Sequence, residues 1–397
     1  MTSAKRWLLP DGVEEILPLE ASKLEHLRRQ LLDLYESWGY ELVITPLVEY
    51  LDSLLVGSSH DLDLHTFKVT DQLSGRMMGI RADITPQAAR IDAHCLNREG
   101  PVRLCYADNV LHTKPRGLLT SRVPIRVGAE LYGHAGVECD IELICLMYTT
   151  LNVAAIEDIH IVLGHVGIFR ALVKETAIDT DTEAALFDAV QRKAYDEIDN
   201  VLDAAVKDAS LRTMLRQLTR LSGDEAILNE AVKVFESAPE MVKKELQELL
   251  SIVEGVKQRC PEITLCFDLC ELRGYEYHTG IVFAAYTSNY GRAVAKGGRY
   301  DHIGEVFGRS RPASGFDSDL KTIAKLSSKT LTRKKAIIAP SSNDSELMKV
   351  VSTLRDEGEV VVTNLLADDL SVQDQKDLNC DRQLVCRDGV WVVENLN

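Results

Sequence analysis

Between Arg273 and Asp301 the chain reads R-G-Y-E-Y-H-T-G-I-V-F-A-A-Y and closes K-G-G-R-Y-D. Gly274, Gly280, Gly297 and Gly298 let backbone pass close to a bound group. Tyr275, Tyr277 and Tyr300 supply flat walls with polar tips, and Arg273 and Arg299 carry planar forks that grip a carboxylate or phosphate through two parallel hydrogen bonds. These parts suit a small anionic or zwitterionic ligand. Either string alone could be no more than a pair of strands joined by glycine turns; together they read as a site.

Other elements must bring further polar groups to that ligand. The strand R-M-M-G-I-R-A-D runs into a helix opened by Thr85-Pro86, with threonine as N-cap and proline in the first turn. Asp83 then sits beside a helix N-terminus, where a carboxylate is favoured and can also receive an ammonium group. In P-I-R-V-G-A-E-L-Y, Arg126 and Glu130 are four residues apart and share a face of one strand. His165, in L-G-H-V-G-I-F-R-A-L, reads as a packed or capping histidine more readily than as a ligand.

The surrounding chain supplies these elements in order. Leu24, Leu27, Leu31 and Leu34 have the spacing of an amphipathic helix from Glu20 to Trp38, ended by Gly39, and Y-E-L-V-I-T-P follows as a strand. Further strands are expected at 101–107, 263–270, 281–286 and 292–296, with helices at 140–155, near 300–307 and at 316–326. Residues 182–258, rich in Ala, Leu, Glu and Lys, read as four or five short helices. The end of the chain reads as strand, helix from Ser345 to Glu357, strand, and a hairpin turning at Asp388-Gly389.

A chain of 397 residues with 45% hydrophobic residues has room for two or three domains and a large core. It contains no long apolar run and no signal-peptide pattern, so a cytoplasmic protein is expected. Nine cysteines without a C-x-x-C pair indicate neither zinc knuckles nor a disulfide framework. The net charge of −16 opposes binding of polyanions. Residues 336–397 hold five Lys or Arg against twelve Asp or Glu, a net of −7.

The two glycine-tyrosine strings, together with G-I-R-A-D-I-T-P at 79–86, V-G-A-E-L-Y-G at 127–133 and D-I-E-L-I at 140–144, closely resemble the signature segments of histidyl-tRNA synthetase and its relatives over roughly residues 8 to 325. The resemblance implies an α+β class II aminoacyl-tRNA synthetase-like fold, an antiparallel sheet flanked by helices. Its core would comprise 1–175 and 259–327, with a helical insertion at 176–258 and a small α/β C-terminal domain at 335–397. It implies a homodimer through the first helix and strand. It also implies a histidine pocket built from Asp83, Thr85, Arg126, Glu130, Arg273, Tyr275, Tyr277, His278, Gly298 and Arg299. Asp83 stands where the family has Glu, Arg126 where it has Gln, and His278 where it has a second Tyr.

The nucleotide end departs further. Amino-acid adenylation needs arginines on the ATP phosphates. The family's F-R-x-E is here Leu111-His112-Thr113-Lys114, and its G-L-E-R is Asp319-Leu320-Lys321-Thr322. A kept amino-acid end and a lost triphosphate end are similar to the ATP phosphoribosyltransferase regulatory subunits, synthetase paralogues without catalysis of their own. That likeness implies a hetero-octamer with the short catalytic subunit, activation of that subunit, feedback by histidine, and no cofactor, metal or tRNA. The alternative is a divergent histidyl-tRNA synthetase in which Lys114, Arg116 and Arg122 replace the missing clamp.

Overall fold

The computed structural model describes residues 7–56, 60–115, 117, 120–272, 274–275, 277–365 and 371–396, leaving aside the side chains of His60 and Asp61. They form two compact units, 1–329 and 330–397.

The frame of the first unit is a nine-stranded sheet among the described residues. Its main strands are β1 (Val102–Asn109), β2 (Ile125–Tyr132), β3 (Ile159–His165), β4 (Thr264–Asp268), β5 (Ile281–Thr287), β6 (Tyr290–Arg299) and β7 (Ala313–Asp319). Across the sheet the order is Glu41–Leu42, β1, β2, β7, β6, β5, β3, β4, Ser222–Gly223. Every pairing from β1 to β3 is antiparallel, while Glu41–Leu42 joins β1 and β4 joins β3 in parallel. This is the class II synthetase-like architecture expected, mixed toward its two edges.

Helix α1 (Pro18–Ser37) buries Leu24, Leu27, Leu31 and Tyr35, the stripe its spacing predicts. The next segment is a strand only over Glu41–Leu42, because Pro46 has no amide to donate and the Thr45 carbonyl and hydroxyl are taken by Nη1 of buried Arg81 at 2.7 and 2.6 Å. A short helix α2 (Thr85–Arg90) follows the Asp83 turn. Helix α3 (Glu138–Val153) is buried along nearly its whole surface, backing the sheet. After α4 (Val166–Thr176) come α5 (Thr180–Gln191), α6 (Tyr195–Ala205), α7 (Ala209–Leu218), α8 (Ala226–Val234) and α9 (Glu240–Arg259). The last of these is not short: it runs 20 residues and buries Val242, Leu246, Leu249, Ile252, Val253 and Val256.

The sequence reading misplaced two segments. Residues 316–319 belong to β7, and the helix, α10 (Leu320–Leu326), starts only where the Asp319 carboxylate caps the Lys321 amide at 3.2 Å. The strand, A-S-G-F-D-S-D, is buried on both faces yet carries neither β-branched residues nor an apolar alternation, so nothing in its pattern marks it as a strand. Near 300–307 there is only a single 3-10 turn at Glu305–Phe307, ended by Gly308 at φ 84°.

The second unit is a four-stranded sheet of β8 (Ala336–Ala339), β9 (Val360–Thr363), β10 (Cys380–Arg387) and β11 (Val390–Asn395), in the order β9-β8-β10-β11. Helix α11 (Ser345–Asp356) lays Leu347 and Val351 on a core with Ile337, Val361 and Leu384, and β10 and β11 pair as the hairpin around Asp388-Gly389. A further short helix, α12 (Val372–Asp377), opens with a capping box between Ser371 and Asp374.

Candidate functional site

The register of the central strands creates the site. Glu130 on β2 faces Gly315 on β7, Gly315 faces Gly298 on β6, and Gly298 faces Val282 on β5. Two glycines abreast leave the sheet surface bare between walls. A Cβ at Gly315 would lie 1.9 Å from Glu130 Oε2 and 2.1 Å from the Tyr300 hydroxyl; one at Gly298 would lie 2.6 Å from the His278 ring. Over this row is a cavity of about 300 Å³ whose lining includes Asp83, Thr85, Glu130, Tyr277, His278 and Tyr300, a size suited to a small metabolite.

At its inner end Glu130 is 1% exposed. Its Oε1 accepts from the Thr85 hydroxyl at 2.9 Å and the Tyr106 hydroxyl at 3.0 Å. Oε2 has no hydrogen-bond partner among the described residues, and neither has the buried Tyr300 hydroxyl beside it. Burial pushes the Glu130 carboxyl well above the usual carboxylate range, against the two hydroxyls and with help from Asp83 and Asp317. Tyr277 stacks on Tyr300 with ring centres 4.9 Å apart, and His278 stands edge-on to Tyr277 at 5.4 Å. A flat ring with donor nitrogens would satisfy both orphan oxygens.

Asp83 lines the cavity near the start of α2. Its Oδ1 accepts from the Thr85 amide at 3.0 Å, so Asp83 and not Thr85 supplies the side-chain oxygen for the first turn. Thr85 is the first helical residue, which frees its hydroxyl for Glu130. Gly315→Ala is expected to lower the unfolding free energy by roughly 1–3 kcal/mol, read by urea unfolding, because Glu130 is pinned and cannot yield to a new methyl group.

Three expected contacts lie elsewhere. Consecutive residues of a strand face opposite ways, so with Gly298 toward the cavity Arg299 points to α3. There it meets Asp140 Oδ2 at 2.5 Å, the Gly136 carbonyl at 2.9 Å and Cys139 Sγ at 3.0 Å, while the Ser314 hydroxyl donates to Asp140 Oδ1 at 2.6 Å. Arg299 is a core ion pair and does not grip a ligand. Tyr275 also faces away, between Phe169 and Phe187, with its hydroxyl on Glu183 at 2.8 Å. Arg126 shares the face of Glu130, but its guanidinium lies behind Asp317, 3.3 Å away, and does not line the cavity. Burial pulls that guanidinium down, and Asp317, Asp83 and Asp319 outweigh it and hold it raised. Arg273 falls outside the described residues.

The residues at the altered nucleotide clamp are engaged within the chain. Buried His112 has Nε2 3.0 Å from the Ala82 carbonyl, and the Thr322 hydroxyl donates to Asp319 at 3.0 Å. The Lys321 ammonium, also buried, lies 3.2 Å from Glu14 and 3.3 Å from the Ser121 hydroxyl. Of the possible substitutes, Arg122 donates to the carbonyls of His112 and Asp11, Lys114 is exposed, and Arg116 is outside the described residues. His165 is fully buried away from the cavity, its two nitrogens 3.6 and 3.9 Å from Glu245 and Glu248. No group of three or more His, Cys, Asp or Glu able to hold a metal occurs among the described residues, and no described helix is long and apolar enough to cross a membrane.

Gly315 was missed by reading the sequence. A glycine inside a strand marks close approach of another group, but with a helix expected from the very next residue, 316, no strand is read at Gly315.

The chain matches the family model for histidyl-tRNA synthetase over residues 12–323 and that for the ATP phosphoribosyltransferase subunit HisZ C-terminal domain over residues 334–394. It is 53% identical over 397 residues, all of both chains, to the ATP phosphoribosyltransferase regulatory subunit of Ectopseudomonas mendocina. Identity to the subunit of that name from Stutzerimonas stutzeri is 52%, again over the whole of both. Among solved structures it is similar to an ATP phosphoribosyltransferase regulatory subunit/histidyl-tRNA synthetase from Bacillus halodurans, with a TM-score of 0.83 and 26% identity over 95% of this chain and 97% of that one. The likeness to histidyl-tRNA synthetase from Nostoc, at a TM-score of 0.79 and 19% identity over 98% and 97% of the two chains, is one of fold. Full-length identity above half, joined to a class II core whose glycine-floored pocket survives, places the chain in the family of ATP phosphoribosyltransferase regulatory subunits.

Proposed function

We propose that the chain is a non-catalytic subunit that activates a short-form ATP phosphoribosyltransferase and mediates its feedback inhibition by L-histidine, bound in the cavity over Gly298 and Gly315. The carrying observation is the pair of unsatisfied oxygens, Glu130 Oε2 and Tyr300 Oη, at the end of a small, acid-lined, tyrosine-walled pocket. An imidazole would take those two oxygens, and the α-ammonium would lie toward Asp83 and Thr85. Resemblance assigns the carboxylate to Arg273. The engagement of His112, Lys321 and Thr322 inside the chain supports a lost nucleotide clamp.

Relay requires histidine to bind one quaternary arrangement better than another; a tenfold preference moves the equilibrium by about 1.4 kcal/mol. By family likeness the assembly is a hetero-octamer around a self-dimer of the synthetase-like core, in the cytoplasm, with no tRNA or membrane partner. The exposed apolar side chains of Leu42, Ile44, Leu47 and Val48 suit a covered dimer surface.

Mixing the chain with a short-form catalytic subunit is expected to raise its turnover, with histidine lowering it again. The chain alone should show no histidine-dependent exchange of pyrophosphate into ATP. Exchange at a synthetase's rate, or charging of tRNA, would reject the regulatory reading in favour of a divergent synthetase.

A further inference from the structure

The turn that carries Tyr277 and His278 is held from behind. Arg170, on α4, sends Nη2 to the carbonyl of Tyr275 at 2.7 Å and to that of His278 at 3.1 Å, bracketing Tyr277. Its guanidinium carbon lies 4.8 Å from the centre of the Tyr275 ring. Gly274, at φ 73°, starts the turn, and its carbonyl accepts from the amides of Tyr277 and His278, each at 2.8 Å. Gly274, Tyr277 and His278 line the cavity, while Tyr275 is lodged between α4 and α5. The Tyr275 hydroxyl is pushed up to about 12 by burial first and by Glu183 next, so it remains a proton donor to that carboxylate across the physiological range.

We infer that Arg170 is a positioning residue for the cavity: with the Tyr275–Glu183 anchor it fixes the turn so that Tyr277 and His278 are presented to the ligand already in place. One guanidinium nitrogen donating to two carbonyls ties the tight turn into a rigid unit, and a wall that is ordered beforehand loses less freedom when a ligand binds. Arg170 itself lies outside the cavity lining and acts only through the turn. The consequence for histidine rests on the pocket reading above; the order of the turn does not.

The test is hydrogen exchange on the full-length, ligand-free chain. Arg170→Met is expected to speed exchange of the Tyr277 and His278 amides about tenfold or more, with the β5 amides unchanged, and Arg170→Lys to give an intermediate rate, since an ammonium can still donate to a carbonyl but lacks the planar face that lies on the Tyr275 ring. Calorimetry with L-histidine should show Kd raised about tenfold in Arg170→Met and partly restored in Arg170→Lys. If Arg170→Met does not fold, Tyr275→Phe, which keeps the ring and loses the Glu183 bond, takes the same two measurements with the same expected direction. Wild-type exchange at Tyr277 and His278 in a folded variant, or acceleration spread equally over β5, overturns the proposal. Absence of histidine binding to the wild-type chain would instead remove the pocket reading, and the exchange rates would still decide the role of Arg170.

Discussion

Glu130→Ala is expected to weaken L-histidine binding roughly ten- to 150-fold, because a buried, charge-assisted hydrogen bond is worth about 1.5–3 kcal/mol and its loss strands a ligand nitrogen. Asp83→Ala should act in the same direction and less strongly, since Asp83 sits nearer the cavity's helix end and also serves the Thr85 amide. In both variants the activated turnover of the catalytic partner should stay close to wild type. The check is a histidine inhibition curve on the reconstituted complex; unchanged inhibition in both variants would put the sensor elsewhere. The pH dependence follows from the raised Glu130 carboxyl. Its proton is held more tightly in the folded chain than in the unfolded one, so this group favours the folded state at low pH, and that contribution is lost as pH rises from the usual glutamate range toward the elevated folded value. A ligand donor or cation pulls the other way by favouring the carboxylate. Histidine binding should therefore strengthen with pH across that window and release a proton, measurable by calorimetry in buffers of different ionisation enthalpy, whereas Glu130→Gln should abolish the release.

Asp140→Ala should destabilise the first unit by about 3–5 kcal/mol, since it leaves the Arg299 guanidinium buried without its main counter-charge. Asp301, 3.4 Å away, is too poorly placed to compensate. Urea unfolding followed by circular dichroism reads the loss. The double variant Asp140→Leu with Arg299→Met should recover most of it, because exchanging a whole buried pair for apolar side chains is often neutral. A cost for Asp140→Ala under 1 kcal/mol would show that water reaches the pair. Histidine binding in the double variant should be close to wild type, which separates this core pair from the ligand cavity on the opposite face of β6.

The structure corrects the sequence reading where a one-dimensional string hides direction. The R-G-Y-E-Y-H and G-G-R-Y strings marked the right stretch, yet only every other side chain of a strand can face one cavity, and a tight turn sends its side chains in several directions. Gly298, Tyr277 and His278 face it; Arg299 and Tyr275 face helices. Likewise Arg126 and Glu130 share a face as their spacing required, but Asp317 on the neighbouring strand intercepts the guanidinium before it reaches the cavity.

Motif identity and order by themselves determined the fold class, the family, and the presence of an acid at Glu130, because those depend on residue types and local spacing. The amphipathic stripe of α1 and the terminal hairpin were equally legible, since periodicity and turn chemistry are local properties. Only the tertiary structure decided which arginine is a core ion pair, that Gly315 forms the pocket floor, that Lys321 is neutralised by a residue 307 positions earlier, and that Glu130 and Tyr300 are left each with an unsatisfied oxygen. Those facts come from strand register and long-range packing, where the partner of a charge is chosen by distance in space and not along the chain.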